Sequence, residues 1–440
     1  MYKEINTLKS EDLTKMSVEE IISFQEKELQ KLLLYLNNNS AFYKKLFKQN
    51  NINPKRIRTL EDLKKIPFTT KEDIQENNSD FHCVPNSKII DYITTSGSLG
   101  EPVTIGLTDN DLDRLARNEC NSFKITGGNS TDIYQLMTTM DRRFMAGLAY
   151  FLGVRKLGAG IVRVGNGIPE LQWDTIKLIS PTVIICVPSF LLKLMEYAEK
   201  NGIDYKNSSI KKAICIGEPI RNEDFSLNTL GQKIMEKWDL QLFSTYASSE
   251  MGAAFTECSA GKGGHVQPAL LIIELVDEND APVKENELGE LVITTLGVEG
   301  MPLLRFKTDD ICRLYMEQCS CGSYAPRIGP ILGRKKQMIK YKGTTIYPSA
   351  LYDVLDTIKE VKNYQVEVFT NDLGTDDILV KIGCDDVNEK LEKDIKDHFR
   401  AKLRVAPSIQ FEKADQLAKV IYTEMSRKPI KFIDKRIIWK

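Results

Sequence analysis

Hydrophobic side chains recur at helical spacing through the first ninety residues of the chain. Ser17 and Glu20 fit a capping box, in which the serine hydroxyl and the glutamate carboxylate accept hydrogen bonds from backbone amides at a helix start. The apolar residues that follow lie as on one face of a helix: Ile21, Ile22, Leu29, Leu32, Leu33 and Leu36. We predict one long helix here and two short helices that begin at Thr59 and Thr70, with Pro67 between them.

The middle of the chain alternates short apolar runs with helical stretches. Residues 181–187 and 212–217 have the composition of buried strands, and residues 189–202 between them have the pattern of a helix. A strand, a helix and a strand at this spacing indicate a crossover connection and hence a parallel sheet. Further on, residues 269–277 and 290–296 are joined by a polar turn that contains proline, and we expect them to form an antiparallel pair.

A final segment, which begins near Gly333, carries its own set of elements. The pattern predicts helices over 349–358 and 388–403 and strands over 364–370, 377–383 and 408–413. That set is large enough for an independent α+β domain of about a hundred residues. We therefore predict an α/β protein with two domains. A large N-terminal domain over 1–332 combines parallel sheets with an antiparallel segment, and a small α+β domain covers 333–440.

Composition and charge exclude several classes of partner. The chain has 440 residues, 42% of them hydrophobic, and its 60 basic and 61 acidic residues leave a formal net charge of −1. Binding to nucleic acid needs a clustered basic excess, so we expect no such partner. No apolar run approaches the roughly 18 residues of a membrane span, and no secretory signal is recognisable. Nine scattered cysteines are an odd number for a disulfide framework, so we expect a soluble, cytoplasmic protein with reduced thiols.

A loop rich in serine and glycine lies at residues 94–102. Ser96, Gly97, Ser98 and Gly100 allow backbone amides to point into one concavity, which suits phosphate oxygens. The loop is not a Walker A motif, because the Gly-Lys-Ser/Thr ending is missing. The alternative is an ordinary hairpin loop.

Two further loops follow apolar runs, as loops at the ends of strands do. Gly217, Glu218 and Pro219 leave the strand predicted over 212–217, and Tyr246-Ala247-Ser248-Ser249-Glu250 follows another apolar run. Ligands of parallel sheets bind at such strand ends. An aromatic ring beside hydroxyl groups and a carboxylate can stack on a base and hold a metal–phosphate complex. Taken singly, each motif is also compatible with plain loop chemistry.

The order of these motifs carries more information than any one of them. They are followed by Arg-Phe-Lys-Thr-Asp-Asp at 305–310 and Gly-Arg-Lys-Lys at 333–336. This succession resembles the adenylate-forming superfamily of acyl-CoA synthetases, and most closely its phenylacetate–CoA ligase branch, from about residue 20 to the C-terminus. The resemblance implies that a carboxylate attacks the α-phosphate of ATP, with Mg²⁺, to give an acyl-adenylate and pyrophosphate. The thiol of CoA then takes the acyl group and AMP is released.

The resemblance assigns a role to each motif. The loop from Ser96 to Gly100 would hold the β- and γ-phosphates. The adenine pocket would be lined by Gly217, Glu218 and Pro219, with Tyr246 stacked on the base, and Ala247 and Ser248 would also belong to the nucleotide-binding residues. Ser249 would lie near the α-phosphate and Glu250 would bind Mg²⁺, while Asp310 would bind the ribose hydroxyls and Arg334 would contact the same nucleotide.

The family's small domain is mobile and rotates about a hinge, presenting one face for adenylation and another for thioester formation. The hinge follows a Gly-Arg pair and is an Asp or a Lys, here Lys336. The lysine that supports adenylation is expected near the C-terminus, where residues 426–434 resemble the family's ending and place it at Lys428. Lys431 is close enough to be a rival, and a basic run in a tail is often only solvated.

Three positions depart from the family pattern. Asp309 replaces the usual glycine before Asp310, Glu101 replaces a lysine after the phosphate loop, and Ala247 replaces a glycine in the tyrosine loop. A non-catalytic nucleotide-binding relative is therefore one alternative function. An adenylating enzyme that uses an acceptor other than CoA is another.

Cys258, His265, Cys319 and Cys321 form a candidate metal site. Thiolate and imidazole are the ligands that zinc prefers, and four of them close a tetrahedral structural site. The alternative is that reduced thiols pack as small hydrophobic groups. We expect a structural Zn²⁺ without a catalytic role.

The motifs do not specify the acid. Residues 138–147 align with the family's segment beside the acid, and here they include Arg142 and Arg143. Such an arginine could pair with a second anionic group of the substrate, and a solvated turn is the alternative. An aryl acid such as phenylacetate is the family default, and a homodimer is a family expectation.

Overall fold

The computed structural model describes residues 16–95, 103–371, 375–385, 388–422 and 429–436. The chain divides into two compact units. The first comprises Met1–Thr308 and Cys312–Ile331, and the second comprises Asp309–Ile311 and Leu332–Lys440. The short segment Asp309–Ile311 thus groups with residues that follow it in the chain by about twenty positions.

Helices form the N-terminal part of the first unit: α1 Val18–Asn39, α2 Ala41–Gln49, α3 Leu60–Leu63, α4 Lys71–Glu76 and α5 Asn78–Phe81. Capping boxes begin α1, α3 and α4 at Ser17, Thr59 and Thr70. Each hydroxyl accepts a hydrogen bond from the third following backbone amide, which would otherwise lack a partner. The predicted apolar face of α1 is buried at Ile21 and its four leucines, whereas Ile22 is exposed and does not belong to that face. The helices predicted from spacing are confirmed.

A large mixed sheet forms the centre of the first unit. Its strands are β3 Ile133–Leu136, β4 Gly160–Arg163, β5 Val183–Cys186, β6 Lys212–Ile216, β7 Gln241–Ser248, β8 Ala253–Glu257, β9 Gly264–His265, β10 Leu271–Val276, β11 Leu288–Thr295, β12 Phe306–Tyr315 and β13 Arg327–Ile328. Their order is β10-β11-β12-β13-β9-β8-β7-β6-β5-β3-β4. A separate antiparallel hairpin, β1 Asp91–Thr94 and β2 Thr104–Leu107, flanks the predicted phosphate loop in the chain.

The parallel part of the sheet runs from β4 to β7. Helix α6 Asp109–Ile125 leads into β3. Pairs β3–β4, β3–β5, β5–β6 and β6–β7 are all parallel, and four helices connect these strands: α7 Met145–Leu157, α8 Pro169–Ile179, α9 Pro188–Lys200 and α10 Thr229–Lys237. Every residue of β5 is buried, as expected for a strand covered on both faces. The predicted crossover and the antiparallel pair β10–β11 are both confirmed.

Helix α6 is unusual because most of its buried face is polar. Asp111, Arg114, Asn118 and Asn121 lie three or four residues apart and are buried together. Glu119 is also buried, and a Cβ at Gly153 of α7 would collide with it. Burial alone raises the pKa of the Glu119 carboxyl to about 8. The close packing of α6 and α7 at this point therefore requires glycine at position 153.

The second unit is an α+β domain. Its elements are β14 Gly333–Arg334, β15 Ile339–Tyr341, β16 Thr344–Ile346, α11 Pro348–Leu355, β17 Asn363–Thr370, β18 Asp376–Gly383, α12 Glu389–Leu403, β19 Ser408–Glu412, α13 Ala414–Ile421 and β20 Phe432–Asp434. The sheet order is β19-β18-β17-β20. All five predicted elements are present. Across both units, no helix of the described residues is long and apolar enough to cross a membrane.

Glu119→Gln should stabilise the protein progressively as pH rises. A carboxyl whose pKa is raised by folding supports the native state below its unfolded pKa, and that support is lost as pH rises through the folded value. The gain of the variant over wild type should therefore grow from pH 5 to pH 8, by at most about 1.4 kcal/mol per pH unit. Urea unfolding at each pH measures it. The exposed Glu196→Gln, on α9, is the control, and parallel pH profiles for both variants would contradict the assignment.

Candidate active site

Two of the predicted motifs lie side by side at the ends of neighbouring strands. Gly217-Glu218-Pro219 follows β6, and Tyr246 to Glu250 covers the end of β7 and the turn after it. The strands are parallel, with Ile216 opposite Thr245. Both motifs therefore leave the carboxyl edge of the sheet, where ligands of parallel sheets bind.

The Glu218 carboxylate caps the N-terminus of α9. Its two oxygens accept hydrogen bonds from the backbone N–H and the hydroxyl of Ser189, at 3.0 and 3.1 Å. Ser189 lies in the first turn of α9, whose N-cap Val187 provides no side-chain cap. A carboxylate there also interacts favourably with the helix dipole. Glu218 thus fixes the loop between two strand ends, while its neighbours Gly217 and Pro219 are exposed.

The tyrosine loop is a tight turn built on β7 and β8. Tyr246 is half-buried and lies opposite Phe255 of β8, with ring centroids 6.0 Å apart. The Ser248 hydroxyl accepts a hydrogen bond from the Met251 amide at 3.3 Å. Ala247 is exposed, and Ser249 and Glu250 are half-buried in the turn. The turn therefore presents a hydroxyl and a carboxylate directly after the aromatic ring.

The buried guanidinium of Arg114, from α6, binds the backbone of this turn and of two other segments. It donates to the carbonyls of Gly252 at 2.6 Å, Leu270 at 2.7 Å and Leu296 at 2.8 Å. A longer bond of 3.5 Å reaches Met251. Burial lowers the pKa of Arg114 to about 10, partly offset by Asp111, so the side chain stays charged at neutral pH. Three segments distant in sequence are thus fixed to one cation.

Asp111 and Asn118 extend the same face of α6. The Asp111 carboxylate accepts from the amides of Glu299 and Gly300 at 2.7 and 2.9 Å. Asn118 pairs with the backbone of Ala254 in β8, accepting at 2.8 Å and donating at 3.2 Å. These bonds position β8 and the 296–300 loop relative to the helix.

A second charged pair joins the loop after Pro219 to β8. Arg221 donates twice to Glu257, at 2.7 and 2.9 Å, and Glu257 also accepts from the Ser244 amide of β7 at 2.8 Å. Burial raises the pKa of Glu257, while Arg221 opposes that shift. A bidentate pair of this kind restricts orientation as well as distance, so the segment after Pro219 is fixed to β8 and, through Glu257, to β7.

The four candidate metal ligands converge in the first unit. The three Sγ atoms of Cys258, Cys319 and Cys321 and a ring nitrogen of His265 all lie within 4.8 Å of one another. Two pairs are 3.7 Å (Cys258–Cys319) and 3.6 Å (Cys321–His265) apart. Tetrahedral zinc with its usual bond lengths requires roughly 3.8 Å between sulfurs and roughly 3.6 Å from sulfur to nitrogen. Burial, aided by Arg327, lowers the pKa of His265 to about 4, which keeps the imidazole neutral, as metal binding needs.

The second unit brings Asp310 and Arg334 together. They are opposite residues of β12 and β14, and Arg334 Nε lies 3.3 Å from Asp310 Oδ1. A Cβ at Gly333 would lie 2.7 Å from Tyr347 Cγ, so the Gly-Arg pair needs its glycine to pack on that ring. Asp309 has φ +64°, a left-handed conformation that favours glycine and that aspartate tolerates better than most residues. Aspartate in place of glycine is therefore compatible with the left-handed backbone at this position of β12.

Lys431 is held inside the second unit. Its Nζ lies 3.0 Å from the Tyr364 hydroxyl and over the rings of Tyr364 and Tyr352, at 4.6 and 5.6 Å. Its backbone carbonyl accepts from Val366. Lys428 lies outside the described residues, as do Ser96, Gly97, Ser98, Gly100 and Glu101.

Models of two protein families match this chain. The AMP-binding enzyme family matches residues 22–300, and the AMP-binding enzyme C-terminal domain matches residues 343–436. The chain belongs to the adenylate-forming AMP-binding enzymes. Within that family, several relatives that match more than four fifths of this chain are phenylacetate–coenzyme A ligases. One from Thermus thermophilus is 31% identical over 363 residues, covering 81% of this chain and 80% of the relative. One from Escherichia coli is 28% identical and covers 83% of each chain.

The fold of this AMP-binding enzyme matches solved structures. The crystal structure of 2-hydroxyisobutyryl-CoA ligase in the postadenylation state superposes with a TM-score of 0.83. The match covers 97% of this chain and 92% of that one, at 20% identity. At that identity the likeness concerns the fold alone, and it confirms the α/β class predicted from the order of elements.

Several residues that build the site in this AMP-binding enzyme escaped the sequence analysis. Arg114, Asp111 and Asn118 form a polar stripe at helical spacing, which in sequence is indistinguishable from a solvated face. Arg221 and Glu257 are 36 residues apart, and nothing local links them. Arg142 and Arg143 are exposed in a turn, which favours the solvated alternative for that segment.

Arg114→Met should destabilise the protein by about 3–5 kcal/mol, because it leaves buried carbonyls without their donors. Urea unfolding measures this loss. Arg142→Met, at an exposed turn position, is the control and should change stability by less than about 0.5 kcal/mol. Equal small effects of both variants would show that the carbonyl contacts of Arg114 contribute little.

Proposed function

We propose that the chain is an AMP-forming acid–CoA ligase. It uses ATP to convert a carboxylic acid into an acyl-adenylate and pyrophosphate, then transfers the acyl group to CoA and releases AMP. The observation that carries this proposal is the pair of motif loops at adjacent ends of β6 and β7, in a chain matched over most of its length by phenylacetate–CoA ligases. An aryl acid such as phenylacetate is the proposed substrate class, and the cytoplasmic location and a homodimer stay predictions.

The first step brings an acid anion against a polyphosphate, so its transition state needs fixed donors and cations. We assign the phosphates to the Ser96–Gly100 loop, the adenine to Tyr246 and the Gly217–Pro219 loop, and the ribose to Asp310. Glu250 would hold the Mg²⁺ that enters with ATP, and Ser249 would contact the α-phosphate. The hydrogen bonds of Arg114 and Glu218 support these roles, because they fix both loops before any ligand binds.

Lys428 is the proposed cation for adenylation. Its rival Lys431 already contacts Tyr364 and Tyr352 within the second unit. An ammonium held over two rings and on a hydroxyl loses those contacts if it moves to a phosphate. Lys431 is therefore better placed to anchor the chain that follows Lys428 than to bind a phosphate. These contacts of Lys431 support the assignment of the adenylating role to Lys428.

The Cys–His cluster is proposed to bind a structural Zn²⁺. Its donor set and separations fit a closed four-ligand site, in which no position stays open for a substrate. The ion would join the turn that follows β8 and the Cys319–Cys321 turn. The ion would have no catalytic role, and residues outside this cluster would carry out the reaction.

Pyrophosphate release tests the proposed function. The protein is assayed with ATP and Mg²⁺ against a panel of aryl, fatty and amino acids, with and without CoA. Acid-dependent release that turns over only with CoA is the expected result and identifies the acid. Turnover without CoA would indicate another acceptor, and ATP binding without release for any acid would indicate a non-catalytic relative.

Lys428→Ala should lower acid-dependent pyrophosphate release by at least about a hundredfold, the order expected for a lost transition-state donor. Thioester formation from a supplied acyl-adenylate should stay within a few-fold of wild type, since only the first step needs that cation. Lys431→Ala should affect both steps alike, through a loosened tail. The reverse pattern, with Lys431→Ala alone blocking adenylation, would transfer the assignment to Lys431.

Purified without chelator, the protein should contain about one zinc per chain. Cys319→Ser should lose that zinc and unfold at a lower temperature, because ligand loss opens a structural site. Cys120→Ser changes a buried thiol outside the cluster and should keep the metal. Far less than one zinc per wild-type chain would refute the site.

A further inference from the structure

A charged pair lies at the predicted hinge. Lys336 Nζ is 3.2 Å from Asp309 Oδ2, and the two side chains are 42% and 20% exposed. Asp309 belongs to the segment that groups with the second unit. That segment is held by the β12–β14 pairing and by the Leu332 amide, which donates to Ile311 at 3.0 Å. The carboxylate is therefore fixed next to the residue whose backbone is expected to rotate.

We propose that Asp309 is a positioning residue for the hinge lysine. Its carboxylate holds the Lys336 ammonium, and the pair favours one of the two hinge conformations that the half-reactions require over the other. The proposal rests on the proposed function, because only an enzyme with two half-reactions needs to exchange two hinge conformations.

The backbone conformation of Asp309 favours glycine, but only the aspartate side chain can make this contact. With φ at +64°, the residue occupies a conformation in which glycine is the least strained choice. Glycine would leave Lys336 without this carboxylate. Aspartate accepts some strain and supplies an anion within β12, next to the ion pair of Asp310 and Arg334.

The pair is strong enough to bias the hinge and too weak to lock it. Ion pairs that are partly exposed to water contribute little to stability and weaken with salt. A turn of the Lys336 backbone would carry its ammonium away from Asp309 at correspondingly small cost. The contact should therefore shift the balance between the two hinge conformations while leaving the fold intact.

The test measures the two half-reactions separately, with the acid that gives the fastest pyrophosphate release. Adenylation is followed as pyrophosphate release in a single turnover, and thioester formation starts from the supplied acyl-adenylate and CoA. Asp309→Asn keeps a residue that tolerates the left-handed conformation, and Lys336→Gln keeps the hinge free to rotate. Lys340→Gln makes the same charge change four residues further on and is the control.

Asp309→Asn and Lys336→Gln should each change the ratio of the two rates by about two- to fivefold, in the same direction, as expected for a partly exposed ion pair. The double variant should change it no further, because the two residues act as one pair. Raising NaCl should move the wild-type ratio toward that of Asp309→Asn, while melting temperatures and the Lys340→Gln ratio stay at the wild-type values.

The experiment distinguishes failure of the hinge proposal from failure of the proposed function. Wild-type protein that performs both steps, with an unchanged ratio in Asp309→Asn or additive effects in the double variant, overturns the role of Asp309 and leaves the ligase function standing. Wild-type protein that releases no pyrophosphate with any acid overturns the proposed function, and the hinge proposal falls with it.

Discussion

The architecture of the candidate site depends on one buried cation. Arg114 brings a guanidinium into the interior and satisfies it with backbone carbonyls from the tyrosine turn and from the residues that flank β10 and β11. Taking a charge out of water is expensive unless it is fully hydrogen-bonded. A planar guanidinium offers donors in fixed directions, so the carbonyls must stay where they are. The hydrogen bonds that offset the burial of Arg114 therefore also hold the loop that carries Glu250 in place.

The other polar residues of α6 make the same kind of contact with different backbone groups. Asp111 accepts from two amides of the 296–300 loop, and Asn118 pairs with a strand as a backbone would. Glu218 performs the corresponding task on the far side of β7, where it caps α9. Preorganised loops of this kind suit a reaction whose charge develops on phosphate oxygens, because donors fixed in advance need not reorganise in the transition state.

Sequence predicted the features that depend on local signals. Helix starts at Ser17, Thr59 and Thr70, the β5–α9–β6 crossover and the antiparallel pair all follow from spacing within a few residues. The convergence of Cys258, His265, Cys319 and Cys321 followed from ligand chemistry. What sequence left out depends on contacts between distant residues: the polar stripe of α6 resembled a solvated face, and Glu218 appeared in sequence only as part of a loop motif. The phosphate loop and Lys428 lie outside the described residues, so their roles rest on the family pattern.

We propose that the loops after β6 and β7 form the nucleotide site of an acid-activating enzyme. A crystal structure of the full chain with a non-hydrolysable ATP analogue and Mg²⁺ tests it most directly. We expect an adenine ring stacked on Tyr246 beside the Gly217–Pro219 loop, with the metal ion bound to the Glu250 carboxylate. An analogue bound with its base away from Tyr246 and its metal away from Glu250 would contradict it.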